Sequence, residues 1–158
     1  MKVTLKIPKP ASNKWTVKGK TIEDLFKNLK KHKWWGRYRS HSECSYKKKD
    51  GVVSDFILKA KPEIIMPVWA NYSKASKEEK KSWDDMWKAL KKHEENHHVI
   101  FKKEAEAWKK AMEKAGDLDE AKVIKAWNKF GKEAQGKQDA YDKKSDHGIK
   151  EGVILNQV

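Results

Sequence analysis

The feature that most constrains this chain is a stripe of large apolar residues that keeps helical spacing over a long stretch. Trp83, Trp87, Leu90, His97, Phe101, Trp108 and Met112 recur at intervals of three, four and seven, which puts them on one face of a helix. Ser76 with Glu79 makes a capping box at its start, and Gly116 stops it. The pattern predicts a helix over 77–114, and the rest of the chain has to cover its apolar face.

What flanks this helix differs on its two sides. Before it, Val3, Leu5 and Ile7 alternate with polar residues, and Trp15-Thr16-Val17 reads as another extended stretch ended by Gly19. Thr21 and Asp24 look like the cap of a short helix with Ile22, Leu25, Phe26 and Leu29 on its inner face, running to about Lys31. Residues 36–48 alternate again, with Tyr38, Ser40, Ser42, Cys44 and Tyr46 on one face. Asp50-Gly51 is a hairpin signal, and Val52 to Ala60 is the returning strand, with Val52, Phe56 and Leu58 on one face. Ile64 to Trp69 continues in extended form. After the long helix, Asp117 with Glu120 opens a second one, with Val123, Ile124, Trp127, Phe130 and Ala134 inside and an end near Tyr141. A Ser-Asp-His-Gly turn follows, and Val153 to Leu155 closes the chain.

The expected fold class is therefore α+β. A small antiparallel sheet with one short helix precedes two long helices, in a single domain over 1–158 with a sheet-rich half (1–75) and a helical half (76–158). Hydrophobic and charged residues are nearly balanced at 37% and 38%, so the eight Trp are what make a compact core affordable. No apolar run approaches the roughly 20 residues of a membrane span. The single Cys44 excludes an internal disulfide framework and a Cys-rich zinc knuckle.

On the long helix stands His93-Glu94-Glu95-Asn96-His97, which fits H-E-x-x-H. Only the i, i+4 spacing of a helix brings two imidazoles onto one face, where a zinc ion can bridge them at about 2.0–2.1 Å each. Glu94 projects beside them, placed to take a proton from a metal-bound water. His97 lies on the apolar stripe and His93 on its edge, so the pair faces the interior or a cleft, where unpartnered polar groups are costly. His98 points about 100° away and reads either as a residue supporting the metal ligands from outside or as a surface residue. A catalytic zinc has three protein ligands, and the expected third is His147, with Asp146 next. Tyr141 is a candidate for stabilising an oxyanion, although an aromatic near a helix end is more often core.

These residues resemble a bacterial family of predicted secreted zinc-dependent proteases catalogued as domain of unknown function 922. The resemblance runs from Trp15 to about Gly152. It is carried by Trp15-x-Val17-x-Gly19-x-Thr21, Trp34-Trp35-Gly36, Ile65-Met66-Pro67-Val68-Trp69, Trp87-x-x-Leu90-x-x-His93-Glu94-x-x-His97, and Gln138-x-x-Tyr141-Asp142-x-x-Ser145-Asp146-His147-Gly148. Asn96 and Ser145 stand where the family tends to have Gly and Thr. The resemblance implies a zincin-like fold, peptidase chemistry on one zinc ion, and a secreted or periplasmic location. Residues 1–10 hold no apolar signal segment, so the sequence itself leaves a cytoplasmic location open.

Charge adds an expectation about partners. The net charge is +14, and residues 1–75 hold 18 Lys and Arg against six Asp and Glu. Such a field favours an acidic peptide substrate or an anionic surface such as a cell envelope. With 35 lysines and two arginines, base-edge reading of a specific nucleic acid is not expected. Two functions follow. One is a zinc metallopeptidase in which Glu94 activates the water held by zinc. The other is a catalytically inactive, zinc-stabilised binding module that uses the basic N-terminal surface, its metal site closed by a fourth ligand from Asp146 or Asp142. The substrate strand of a peptidase is expected to add to 52–60 or 64–69.

Overall fold

A computed structural model describes residues 1–158. It is α+β, with a five-stranded mixed sheet and three α-helices. The strands are β1 (Lys2–Lys6), β2 (Ala11–Val17), β3 (Arg37–Lys49), β4 (Val52–Trp69) and the short β5 (Leu118–Asp119); the helices are α1 (Ile22–Lys31), α2 (Lys77–Ala115) and α3 (Glu120–Ser145). Helix α2 spans 39 residues, and Ser76 caps it as the sequence predicts. The Glu79 N–H donates to Ser76 Oγ at 3.1 Å, and the Ser76 N–H donates to Glu79 Oε2 at 2.9 Å.

The sheet corrects the antiparallel expectation. Every other strand pairs with β4; β1 and β2 both run parallel to it, Lys2–Lys6 beside Asp55–Lys59 and Ala11–Val17 beside Glu63–Trp69, while β5 runs antiparallel at Val52 and Val53. Alternation along a strand reports which face is buried but not which way its partner runs. The hairpin signal at Asp50-Gly51 marks a real turn, with φ of 52° and 79°, both left-handed as a two-residue hairpin needs. Because β4 is the centre of the sheet, neither 52–60 nor 64–69 is an open edge. Two further expectations shift in detail. Val53 rather than Val52 is buried, and Ile124 on α3 is 43% exposed. Helix α3 is capped by Asp119, which accepts the Lys122 N–H at 2.9 Å, and it extends one turn past Tyr141.

The chain divides into two compact units whose boundaries cross β4, α2 and α3 rather than falling between a sheet half and a helix half. The first unit (1–10, 40–62, 97–140) is built on aromatics. Phe56 packs edge-on to Trp108 at 5.0 Å, and Trp127 and Phe130 complete the group. The second unit (11–39, 63–96, 141–158) buries Val17, Leu25, Leu29, Met66, Trp69, Trp83, Met86 and Leu90 together with Val153 and Leu155. The last two residues form no strand, but they anchor the C-terminal segment in that core.

Two glycines give a paired prediction about folding. A Cβ on Gly19 would lie 2.5 Å from the backbone nitrogen of Leu25 and 2.6 Å from its Cα, atoms that no rotamer change can move. Gly131, inside α3, has nothing within 4 Å of the corresponding position. Gly131→Ala should stabilise the protein by about 1 kcal/mol through helix propensity. Gly19→Ala should lower the denaturant midpoint clearly, and equal effects of the two would contradict the packing described.

Candidate metal centre

Helix α2 presents His93, Glu94 and His97 on its buried side, at 3%, 5% and 7% exposure. Buried polar groups need partners, and each of these has found one that the sequence did not announce. His93 Nε2 lies 3.0 Å from Asp142 Oδ1, and its Nδ1 lies 2.7 Å from Glu151 Oε1. His97 Nδ1 lies 2.6 Å from Gln138 Oε1, and Gln138 Nε2 donates to the His97 carbonyl at 2.9 Å. The Glu94 carboxylate accepts the backbone N–H of Tyr38 at 2.7 Å.

One donor atom from each of His93, His97 and Asp142 lies within 4.8 Å of the other two. Two ligand atoms around a tetrahedral zinc, at about 2.0–2.1 Å each, stand roughly 3.3 Å apart. The 3.0 Å between His93 and Asp142 is close to that spacing, so a divalent cation could take the place of the hydrogen bond that joins them. The donor set, two imidazoles and a carboxylate, suits zinc and other borderline cations. Glu151 and Gln138 hold the Nδ1 atoms, which leaves Nε2 of each ring as the atom that would ligate. An outer carboxylate or amide on a ligating histidine fixes the ring and raises its basicity.

The sequence candidates divide accordingly. His93 and His97 are brought together, with Glu94 between them on the same helix. His147 and Asp146 are exposed and do not join the group; Asp142, one turn earlier on α3, does. The Ser-Asp-His-Gly segment instead forms a turn with left-handed backbone at Asp146, His147 and Gly148 (φ 51°, 52° and 89°), closed by the His147 N–H donating to the Asp142 carbonyl at 2.8 Å. Buried Ser145 accepts the Gly148 N–H at 3.2 Å. This turn backs the His93 ring, since a Cβ on Gly148 would come 3.3 Å from His93 Cγ and 2.6 Å from Val153. It also delivers Glu151 to Nδ1. Gly36 does the same for Glu94: a Cβ there would lie 3.2 Å from Glu94 Oε1 and 3.0 Å from Leu90.

Tyr141 stacks on His93 with ring centroids 4.8 Å apart. Its hydroxyl donates to Glu151 and accepts from the Asn96 amide at 3.0 Å. Burial, against the Asn96 hydrogen bond and together with the nearby Glu151 and Asp142 charges, pushes its pKa up to about 12. It therefore stays neutral and keeps its proton. His98 is half-buried, and burial with the Lys102 charge lowers its pKa.

Residues 13–148 match the family described as bacterial protein of unknown function (DUF922). The chain belongs to this family. No curated protein and no solved structure matches it. The DUF922 match takes in His93, Glu94, His97, Gln138 and Asp142 but stops short of Glu151. The sequence offers Asp142 only as a fourth ligand of a closed site, whereas the structure brings it in as the third member, and sequence reasoning missed Gln138 and Glu151. A signal was present on α3: Gln138 and Asp142 repeat the i, i+4 spacing of His93 and His97 on α2.

Two outcomes follow. Glu151→Gln should weaken zinc binding by about 10–100-fold, the usual effect of removing an outer carboxylate from a ligating histidine; a competition titration against a chelating dye measures it, and an unchanged affinity would remove Glu151 from the centre. Burial opposes the charged form of His93, but the hydrogen bonds to Asp142 and Glu151 and the Glu94 charge outweigh it and raise the pKa above 6.5. In the metal-free protein the resulting stabilisation is fully present below pH 6.5 and is lost as pH rises through the raised value. A metal ion ligated by His93 would have to displace that proton, so calorimetry of added zinc near pH 6.5 in buffers of different ionisation enthalpy should show proton release on binding. None would mean that His93 is neutral in the folded protein.

Proposed function

We propose that this protein is a metal-dependent peptidase that uses His93, His97 and Asp142 as ligands and Glu94 as general base. The observation that supports this most is the number and kind of donors. Three protein ligands leave one tetrahedral position open, as in catalytic zinc sites, whereas structural sites use four. Glu151 is engaged with His93 Nδ1 and does not supply a fourth ligand to the group.

Zinc, when bound, lowers the pKa of a water toward about 7 and polarises a substrate carbonyl. In this reading Glu94, next to His93 on α2, takes the proton of the attacking water and passes it to the departing amine. Its hydrogen bond from Tyr38 holds one oxygen, and a carboxylate has acceptor capacity to spare. Glu151 and Gln138 keep the two imidazoles in one tautomer, and Gly148 and Gly36 let His93 and Glu94 sit close to the backbone. Because the Tyr38 N–H points to Glu94 and not into the sheet, this end of β3 turns its outer edge toward the base. That edge, rather than β4, is where an extended peptide would add a strand.

A zinc-stabilised binding module without turnover is the competing reading, and one variant separates the two. Glu94→Gln should keep about one zinc per chain while cleavage of a quenched-fluorescence peptide library falls by about 10²–10⁴-fold, the usual contribution of a general base. Asp142→Ala should lose the metal itself. Cleavage by Glu94→Gln at the parent rate would refute the mechanism. A parent protein that holds zinc and cuts nothing in the library would leave the binding module as the better account.

A further inference from the structure

A closed loop of hydrogen bonds stands behind the His93 ring. Asn96 Nδ2 donates to the Tyr141 hydroxyl at 3.0 Å, that hydroxyl donates to the two Glu151 oxygens at 2.8 and 2.7 Å, and Glu151 Oε1 lies 2.7 Å from His93 Nδ1. The loop leaves α2 at Asn96, passes through α3 and the segment after it, and returns to α2 at His93. The backbone that carries Glu151 is fixed on both sides. Glu151 ends a 3-10 turn, Ile149–Glu151, between Gly148 and Gly152, whose φ values are 89° and 95°. Beyond it Val153 and Leu155 are buried, and Ser82 Oγ donates to the Asn156 carbonyl at 2.6 Å. The Glu151 side chain lacks that support. It is 34% exposed, so water competes for its oxygens and its rotamer freedom opposes any single pose.

We propose that Tyr141 is a positioning residue, whose hydroxyl holds the Glu151 carboxylate on Nδ1 of His93 and thereby sets that ring for a metal at Nε2. This role rests on the metal centre proposed above. A phenol has one proton to donate, and here Glu151 takes it. The Asn96 amide, aimed at the hydroxyl oxygen, leaves that proton facing Glu151, and donors in series polarise one another. The location of the hydroxyl separates this role from oxyanion stabilisation. It meets the carboxylate on the Nδ1 side of His93, whereas Nε2 faces Asp142 across the ring. The Tyr141 ring lies nearly parallel to the imidazole, at 4.8 Å and 19°, and this stack does not need the hydroxyl. The hydroxyl therefore acts through Glu151, as the outer partners of a ligating histidine do.

The test is zinc affinity of the full-length protein, by competition with a chelating dye at one fixed pH, and the visible absorption of its cobalt(II) form. Tyr141→Phe keeps the stack and removes the hydroxyl. It should weaken zinc binding roughly tenfold, the low end for an outer partner, and shift the cobalt bands. In a Glu151→Gln background the same change should cost less than about twofold, because independent effects would instead multiply. Tyr72→Phe removes a hydroxyl that donates to Asp84 at 2.9 Å, and it should leave affinity and bands as in the parent. Unchanged affinity and bands in Tyr141→Phe would overturn the proposal while leaving the metal centre standing. So would a tenfold loss that persists in the Glu151→Gln background, an equal loss in Tyr72→Phe, or peptide cleavage that falls while zinc affinity holds. A parent protein that binds no zinc would overturn the metal centre itself, and this role with it.

Discussion

A helix that carries two histidines and a glutamate on its buried side must find partners for them, and much of this structure answers that requirement. Leaving such groups unpaired inside a protein costs more than a hydrogen bond returns. His93 is met by Asp142 and Glu151, His97 by Gln138, and Glu94 by the Tyr38 backbone. Those partners come from the last turns of α3, the turn that follows it, and the start of β3. The path of the chain after Ala140 is explained largely by this need. The left-handed backbone at Asp146 and His147 is unfavourable for residues with a side chain; it is maintained because the turn both seats Gly148 against His93 and carries Glu151 to its second nitrogen.

The parts legible in the sequence are those governed by local rules. The capping box, the apolar stripe, the Thr21 cap and the Asp50-Gly51 turn each depend on residues a few positions apart, and each is found. The direction of the sheet was not legible. Lys2 pairs beside Asp55 and Ala11 beside Glu63, separations of about fifty residues at which alternation carries no information about partner or polarity. The centre divides in the same way. His93, Glu94 and His97 follow from one helix, while Asp142 depends on how two helices face each other. His147 drew attention through its residue type, and the backbone conformation that turns it outward has no signature in composition.

Charge explains why the centre is built as it is. In a chain of net charge +14, three carboxylates, Glu94, Asp142 and Glu151, gather around two imidazoles. A single imidazolium at His93 balances only part of that excess. A divalent cation held by His93, His97 and Asp142 would balance more of it, while Glu151 would keep its bond to His93 Nδ1. The proton and the metal therefore compete for one position, Nε2 of His93. The same carboxylates that raise the pKa of the ring in the metal-free protein would make the neutral ring a stronger ligand once the proton has gone. Acidification should thus release the metal before it disturbs the hydrophobic cores, because the ligand set titrates and the aromatic packing does not.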